Sequence, residues 1–382
     1  MGRKEWVFPL FELRDVEVEF KSQIRTGRDA APRPLDGLSL PVAAGEIVAV
    51  AGSPGFGGTT IARACAGTLS IASGTIMSGG RDITNVPPTR RPVGLVPAGG
   101  GLLPQLSCRD NVTYGLRLRQ APNVDVRGRL QTLTARLELT PLLDLRPHEL
   151  WADQRMRVAL ARALARHALD LLVVDATAGA EGLAELGDLI ARGTGDEPVA
   201  VLLCTADHRV IDQAVRVAIV ERGRVRFQDT PSALRRNPPN LAVAQLVYPN
   251  PTPALPAVAG DGEILFDQIR MAQGPLRLPC QHGLVPGTAL VVMLTAEAVR
   301  LVPPDKGLLV ARIADVESSG REVDAVLDVA RQQGRWRARV NEGWARVGDS
   351  VGVRLHWEGM LTFDQGEADH PLLAPTCPTA TE

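Results

Sequence analysis

A strand, a glycine-rich loop and a helix in immediate succession, followed by alternating helical and apolar segments, predict an α/β unit on a largely parallel sheet. The apolar run 46–51 leads into Gly52 to Thr60 and then a helix-like stretch over 61–69, the order of a phosphate-binding loop. Buried-strand runs at 169–175 and 199–204 are separated by helical spacing, which puts helices between neighbouring parallel strands. A third observation predicts a second unit: beyond a proline-rich stretch, short alternating segments with glycine turns recur, the pattern of a small all-β barrel.

Residues 10–20 alternate apolar and charged side chains, as a half-buried strand does, and 35–40 and 41–50 read as further strands. Between them, 21–34 is polar, basic and proline-bearing, hence a loop. Helical spacing recurs over 124–145 and, rich in arginine and alanine, over 153–168. Segments 217–220 and 224–227 flank Glu221, Arg222 and Gly223 as a hairpin. Prolines cluster in 237–240 and 249–256. Because proline blocks helix interiors and central strands, 237–256 reads as a linker. Candidate strands follow at 263–271, 289–294, 307–315, 323–329, 335–340 and 350–355. The expected organisation is 1–236, 237–256 and 257–382.

Composition narrows the function. A chain of 382 residues exceeds one core, and 45% hydrophobic with 22% charged residues is ordinary for a globular protein. The formal net charge of -1 lacks the basic excess that nucleic acid or an anionic membrane would demand. Five scattered cysteines without a CxxC pair suggest neither zinc nor a disulfide framework, which fits a reducing cytosol. No apolar run approaches the roughly 20 residues of a membrane span, and the N-terminus is too weak for a signal peptide. Membrane association is therefore expected to go through a partner. Only three lysines occur, Lys4, Lys21 and Lys306.

Taken together, Gly52 to Thr60, the segments 146–150, 157–164 and 171–175, and the run 229–234 resemble the ATP-binding subunit of an ABC transporter. The segment 347–364 resembles the OB-like regulatory barrel of the maltose-type sugar-importer branch. The resemblance implies a P-loop ABC-type nucleotide-binding domain followed by an all-β OB-like domain. It further implies ATP and magnesium as cofactors, and permease transmembrane subunits as partners. A homodimer, or a heterodimer with an intact ATPase paralogue, would seat at the inner face of the cell membrane.

Carried over residue by residue, the resemblance assigns nucleotide contacts to Phe20, Gly52, Gly55, Gly57, Gly58, Thr59, Thr60, Leu150 and Gln154, and metal contacts to Thr59 and Asp175. Gly52, Gly55 and Gly57 let backbone amides turn onto phosphate oxygens. The lysine position, however, is Gly58, which removes a charge-assisted bond worth about 1.5–3 kcal/mol. The glutamate that polarises water is replaced by Ala176, the glutamine by Ala98 and the histidine by Ala206, with His208 two residues on. The signature Leu-Ser-Gly-Gly-Gln is here Leu150 followed by Trp151, Ala152, Asp153 and Gln154. At about 4 Å and an effective dielectric near 20, Asp153 beside a partner's γ-phosphate would cost about 4 kcal/mol per unit pair.

Plainer readings stand beside these. The loop is also an ordinary strand-to-helix turn, Phe20 a core residue, Asp175 a cap and Trp151 a packing residue. His208 is then a solvent-facing turn residue, and Arg157, Arg162 and Arg166 a solvated or salt-bridged face. The expected function is an importer subunit for carbohydrates or related solutes with impaired or absent ATP hydrolysis. Alternatives are a regulatory scaffold and an ATPase using atypical residues.

Overall fold

The computed structural model describes residues 9–19, 34–166, 168–179, 182–183, 185–248, 254–271, 274–279, 284–319, 322–329, 335–341, 346–356 and 359–364. The chain divides into two units, Met1–Ser232 and Ala233–Glu382.

The first unit has two sheets. Strands β1 (Phe11–Val18), β2 (Leu35–Val42), β4 (Ser73–Ser78) and β5 (Arg81–Asp82) form an antiparallel sheet ordered β2-β1-β4-β5. The other sheet contains β3 (Ile47–Ala51), β6 (Val93–Val96), β7 (Leu171–Asp175), β8 (Ala200–Thr205), β9 (Arg216–Glu221) and β10 (Arg224–Asp229), ordered β10-β9-β3-β8-β7-β6. All its pairings are parallel except β9 with β10. In that hairpin Arg222 and Gly223 both take positive φ, the backbone a tight primed turn requires.

Continuous apolar runs become central strands because both faces are covered. Side chains of β7 alternate: Leu172 and Val174 enter one core with the helices, while Leu171 and Val173 enter a second core beneath the antiparallel sheet. The helices are α1 (Gly58–Ala66), α2 (Cys108–Leu118), α3 (Asn123–Arg136), α4 (Ala152–Leu164), α5 (Leu186–Thr194) and α6 (His208–Ile211), and the chain division falls within α7 (Pro231–Arg236).

Several sequence expectations need correction. Segments 35–40 and 41–50 do not split at Pro41, which lies inside β2. As β2 is a sheet edge, the missing amide costs no ladder bond on its open side. The helix expected over 124–145 stops at Arg136, because Glu138 adopts positive φ. The one over 153–168 stops at Leu164. The loop over 21–34 lies almost wholly outside the described residues.

Two side-chain links fix the framework. Arg91, 3% exposed, donates to the carbonyls of Ala64, Cys65, Thr84 and Val86 at 2.6–2.9 Å. It thereby satisfies the carbonyls at the end of α1, with cation and helix dipole in favourable order. Glu46 and Arg216, at the starts of β3 and β9, form a two-pronged pair at 2.8 and 3.2 Å.

The second unit is β-rich. It contains α8 (Leu241–Val247), then β11 (Ala254–Ala259), β12 (Glu263–Met271), β13 (Gly274–Pro279), β14 (Ala289–Leu294), β15 (Val299–Val302), β16 (Leu309–Ser319), β17 (Glu322–Val329), β18 (Arg335–Val340), β19 (Ser350–Leu355) and β20 (Met360–Asp364). Two antiparallel sheets result, ordered β13-β12-β11-β14-β20 and β15-β19-β16-β17-β18, and share a core that includes Phe266, Leu290, Leu327 and Trp336.

The stretch 237–256 is thus not a plain linker. Asn240 caps α8 by accepting from the Val243 amide at 2.8 Å, and Pro256 lies in a central strand. The Ala259 amide points to β14, donating to Thr288. Strand alternation turns the Pro256 nitrogen toward β12, where pairing covers only Val258 and Ala259.

Candidate functional site

The glycine-rich loop leaves the C-terminal end of β3, between β8 and β9, and opens α1. Gly55 and Gly57 take φ +89 and +101, a region glycine enters without steric penalty. The Phe56 amide is not turned inward but donates to Ser53 at 2.9 Å. The Phe56 side chain packs over the loop against the core beneath the antiparallel sheet. A β-carbon at Gly58 would lie 2.6 Å from Phe56 Cζ and 2.7 Å from Thr177 Cγ2. One at Gly52 would lie 2.6 Å from Phe56 Cβ and 2.6 Å from the Val220 carbonyl.

Asp175 ends β7 and is buried. Its Oδ1 accepts from the Thr177 hydroxyl at 2.6 Å and from the Thr177 amide at 3.2 Å. The Thr177 hydroxyl also lies 3.1 Å from that of Thr59. An ionised carboxylate only accepts, so Thr177 gives it its single proton and receives one from Thr59. The relay runs from Thr59 through Thr177 to Asp175. The two metal residues read from the sequence are therefore brought together, but through a third side chain.

The remaining positions behave differently. Ala176 is buried beside Asp175, while Ala98 and Ala206 are exposed. Together with Arg155, Met156 and Gly99, Asp175 and Ala176 line a cavity of about 260 Å³. His208 is half-buried and opens α6, rather than sitting in a solvent-facing turn. Thr60 is half-buried in the first turn of α1, and Phe20 lies outside the described residues.

At the start of α4, Leu150 is buried and its carbonyl accepts from Arg155 at 2.7 Å. Trp151 is 77% exposed, so it does not pack within this chain as expected. The Gln154 side chain accepts from the Trp151 amide at 2.9 Å and caps its own helix. Asp153 lies 3.7 Å from Arg157. Gly182 presses on this turn: a β-carbon there would lie 2.7 Å from the Ala152 carbonyl. Arg162 is not on a solvated face, since it donates to Gly101 and Gly100 at 2.6 and 3.3 Å.

A glycine-rich loop at the C-terminal edge of a parallel sheet, with a buried aspartate at the end of the next strand but one, defines the P-loop class of nucleotide-binding folds. Residues 35–178 match the ABC transporter family model. The chain is 31% identical over 284 residues to the sulfate/thiosulfate import ATP-binding protein CysA of Mycobacterium tuberculosis, covering 69% of this chain and 79% of that one. It is 30% identical over 344 residues to CysA of Mycolicibacterium paratuberculosis, covering 86% and 88%. To the spermidine/putrescine import ATP-binding protein PotA of Marinobacter nauticus it is 29% identical over 308 residues, covering 77% and 80%. Among solved structures, cbiO1 from Clostridium perfringens superposes with a TM-score of 0.51 at 21% identity, covering 60% of this chain and 92% of that one. The chain belongs to the ABC transporter ATP-binding family.

That family binds ATP, typically with magnesium; in this chain the lysine position is Gly58, and the Thr59 and Asp175 side chains are linked through the Thr177 hydroxyl. The space over Gly58 and Gly52 is taken by Phe56 and Thr177. Sequence reasoning missed both Phe56 and Thr177. The usable signal was an aromatic residue between glycines where the lysine position is itself glycine, because glycine is the residue that makes room for a ring.

Proposed function

We propose that the chain is a subunit of an ABC importer for carbohydrates or related solutes, docked on permease subunits at the inner membrane face, with impaired or absent ATP hydrolysis. The observation that carries this reading is the span of its similarity to import ATP-binding proteins, whose 344 matched residues exceed the first unit and extend into the β-rich one. The carbohydrate class rests on the resemblance of 347–364 to the maltose-type regulatory domain. Among the described residues no helix is long and apolar enough to cross a membrane, so attachment would run through the permease.

Impaired hydrolysis follows from Gly58, Ala98, Ala176 and Ala206. A positioned base or water-orienting group typically contributes about 10²–10⁴-fold. The filled loop also favours a second reading, a regulatory scaffold that holds the assembly without turning over ATP.

The docking surface in this proposal is the face of α2. Leu102 packs against the helical core, so altering it would test folding. Tyr114 and Leu118 are exposed and one turn apart, spaced to receive an amphipathic helix. Co-purification with a co-expressed permease is expected to be lost in Tyr114→Asp/Leu118→Asp. Retention would move the interface elsewhere, and turnover near one per second that depends on Asp175 would end the impaired-hydrolysis reading.

A further inference from the structure

We infer that the phosphate loop is closed by the chain's own side chains: Phe56 stands where a lysine stem would leave the loop, and the Thr177 hydroxyl stands between the two groups that would hold a cation. The missing lysine is then one half of a coordinated replacement rather than a simple loss.

Three contacts meet here. The rim of the Phe56 ring closes on Gly58 and its Cβ on Gly52, each at 2.6 Å from where a β-carbon would be. Real β-carbons essentially never come this close to another heavy atom, so at 52, against Phe56 Cβ and the Val220 carbonyl, only glycine is accommodated, while at 58 a side chain must push aside the Phe56 ring and the Thr177 methyl. Thr177 contributes its methyl to the same contact, 2.7 Å from a β-carbon at 58, while its hydroxyl completes the relay from Thr59 to Asp175. One threonine thus serves both halves of the closure.

The physical logic is that an empty P-loop leaves inward-facing amides and a buried carboxylate in need of partners. In this chain the carboxylate is satisfied by Thr177, the Phe56 amide by Ser53, and the remaining space by an apolar ring. A group entering over Gly58 must then displace the Phe56 ring. Restoring lysine at 58 alone would drive its β-carbon into that ring. This inference rests on loop geometry and is independent of permease docking, so either can fail without the other.

The test uses the full chain and thermal unfolding. Gly58→Ala in the parent is expected to lower Tm by several degrees. In a Phe56→Ala/Thr177→Ser background, which clears the ring and methyl but keeps the hydroxyl, the same change is expected to cost at most about one degree, since directly contacting residues couple. Equal losses in both backgrounds would overturn the closure. Millimolar Mg-ATP should leave the parent Tm unchanged, and raise it by several degrees once Gly58→Lys is added to the cleared background. A shift in the parent, or none in the cleared lysine variant, would overturn it. If the lysine variant does not fold, the Gly58→Ala comparison decides.

Discussion

The phosphate loop and the start of α4 are the two halves that ABC subunits contribute to a shared site, and they depart from the family in opposite directions. The loop has turned inward: Phe56 fills it, and Gly52 and Gly58 leave the ring room. The start of α4 has turned outward, with Trp151 77% exposed and Gln154 spent on capping its own helix. The same kind of motif loss therefore has two physical meanings. Changes in the first half are paid in packing, whereas those in the second alter only what an outside partner would meet.

The largest expected effect lies in the loop. Gly52→Ala should destabilise the first unit by about 2–3 kcal/mol, because its β-carbon meets both Phe56 and the Val220 carbonyl. Chemical denaturation would measure it, and a cost under about 0.5 kcal/mol would erase the contrast. Next comes Gly182→Ala, at the contact behind the signature turn. Its φ of +73 and the nearby Ala152 carbonyl predict a loss of about 1–2 kcal/mol. That outcome would show that the start of α4 is rigid underneath while open outside.

A smaller, pH-dependent effect is expected from Glu46, remote from both halves. Burial pushes its carboxyl pKa up, but hydrogen bonds from Arg216 and the Ala43 amide outweigh this and hold it below the ordinary value. A lowered carboxylate contributes stability above its unfolded pKa and loses it as pH falls through the folded one. Glu46→Gln should therefore cost about 0.5–1 kcal/mol near pH 7, and the difference from the parent should begin to shrink as pH falls past the ordinary glutamate value of about 4.3 and vanish only once pH is below the lowered folded pKa. Smallest of all is Trp151→Ser, expected within about 0.5 kcal/mol of the parent because the side chain is largely solvated. A larger loss would mean that Trp151 packs on something, and would break the distinction between the two halves.

Much of the fold was legible because burial leaves a mark on sequence. The run of β7 is apolar at successive positions since cores lie on both its faces, and the loss of lysine at 58 needs no geometry to see. What stayed hidden is set by contacts between distant segments. Phe56 and Thr177 come from distant segments and converge on Gly58, and no periodicity records that a ring turns inward. Pro256 misled because the rule against proline in central strands concerns hydrogen-bonding sides, and only pairing reveals that its β12 side is unladdered. The seven-residue α8 is shorter than the window in which helical spacing can be recognised.

Arg91 bears on how the loop could ever open. Sliding α1 along its axis would strip a buried guanidinium of carbonyl partners at Ala64 and Cys65, so the helix behaves as a post set at its far end. Any opening must then be absorbed by the few residues ahead of it, with Gly55 and Gly57 as the pivots.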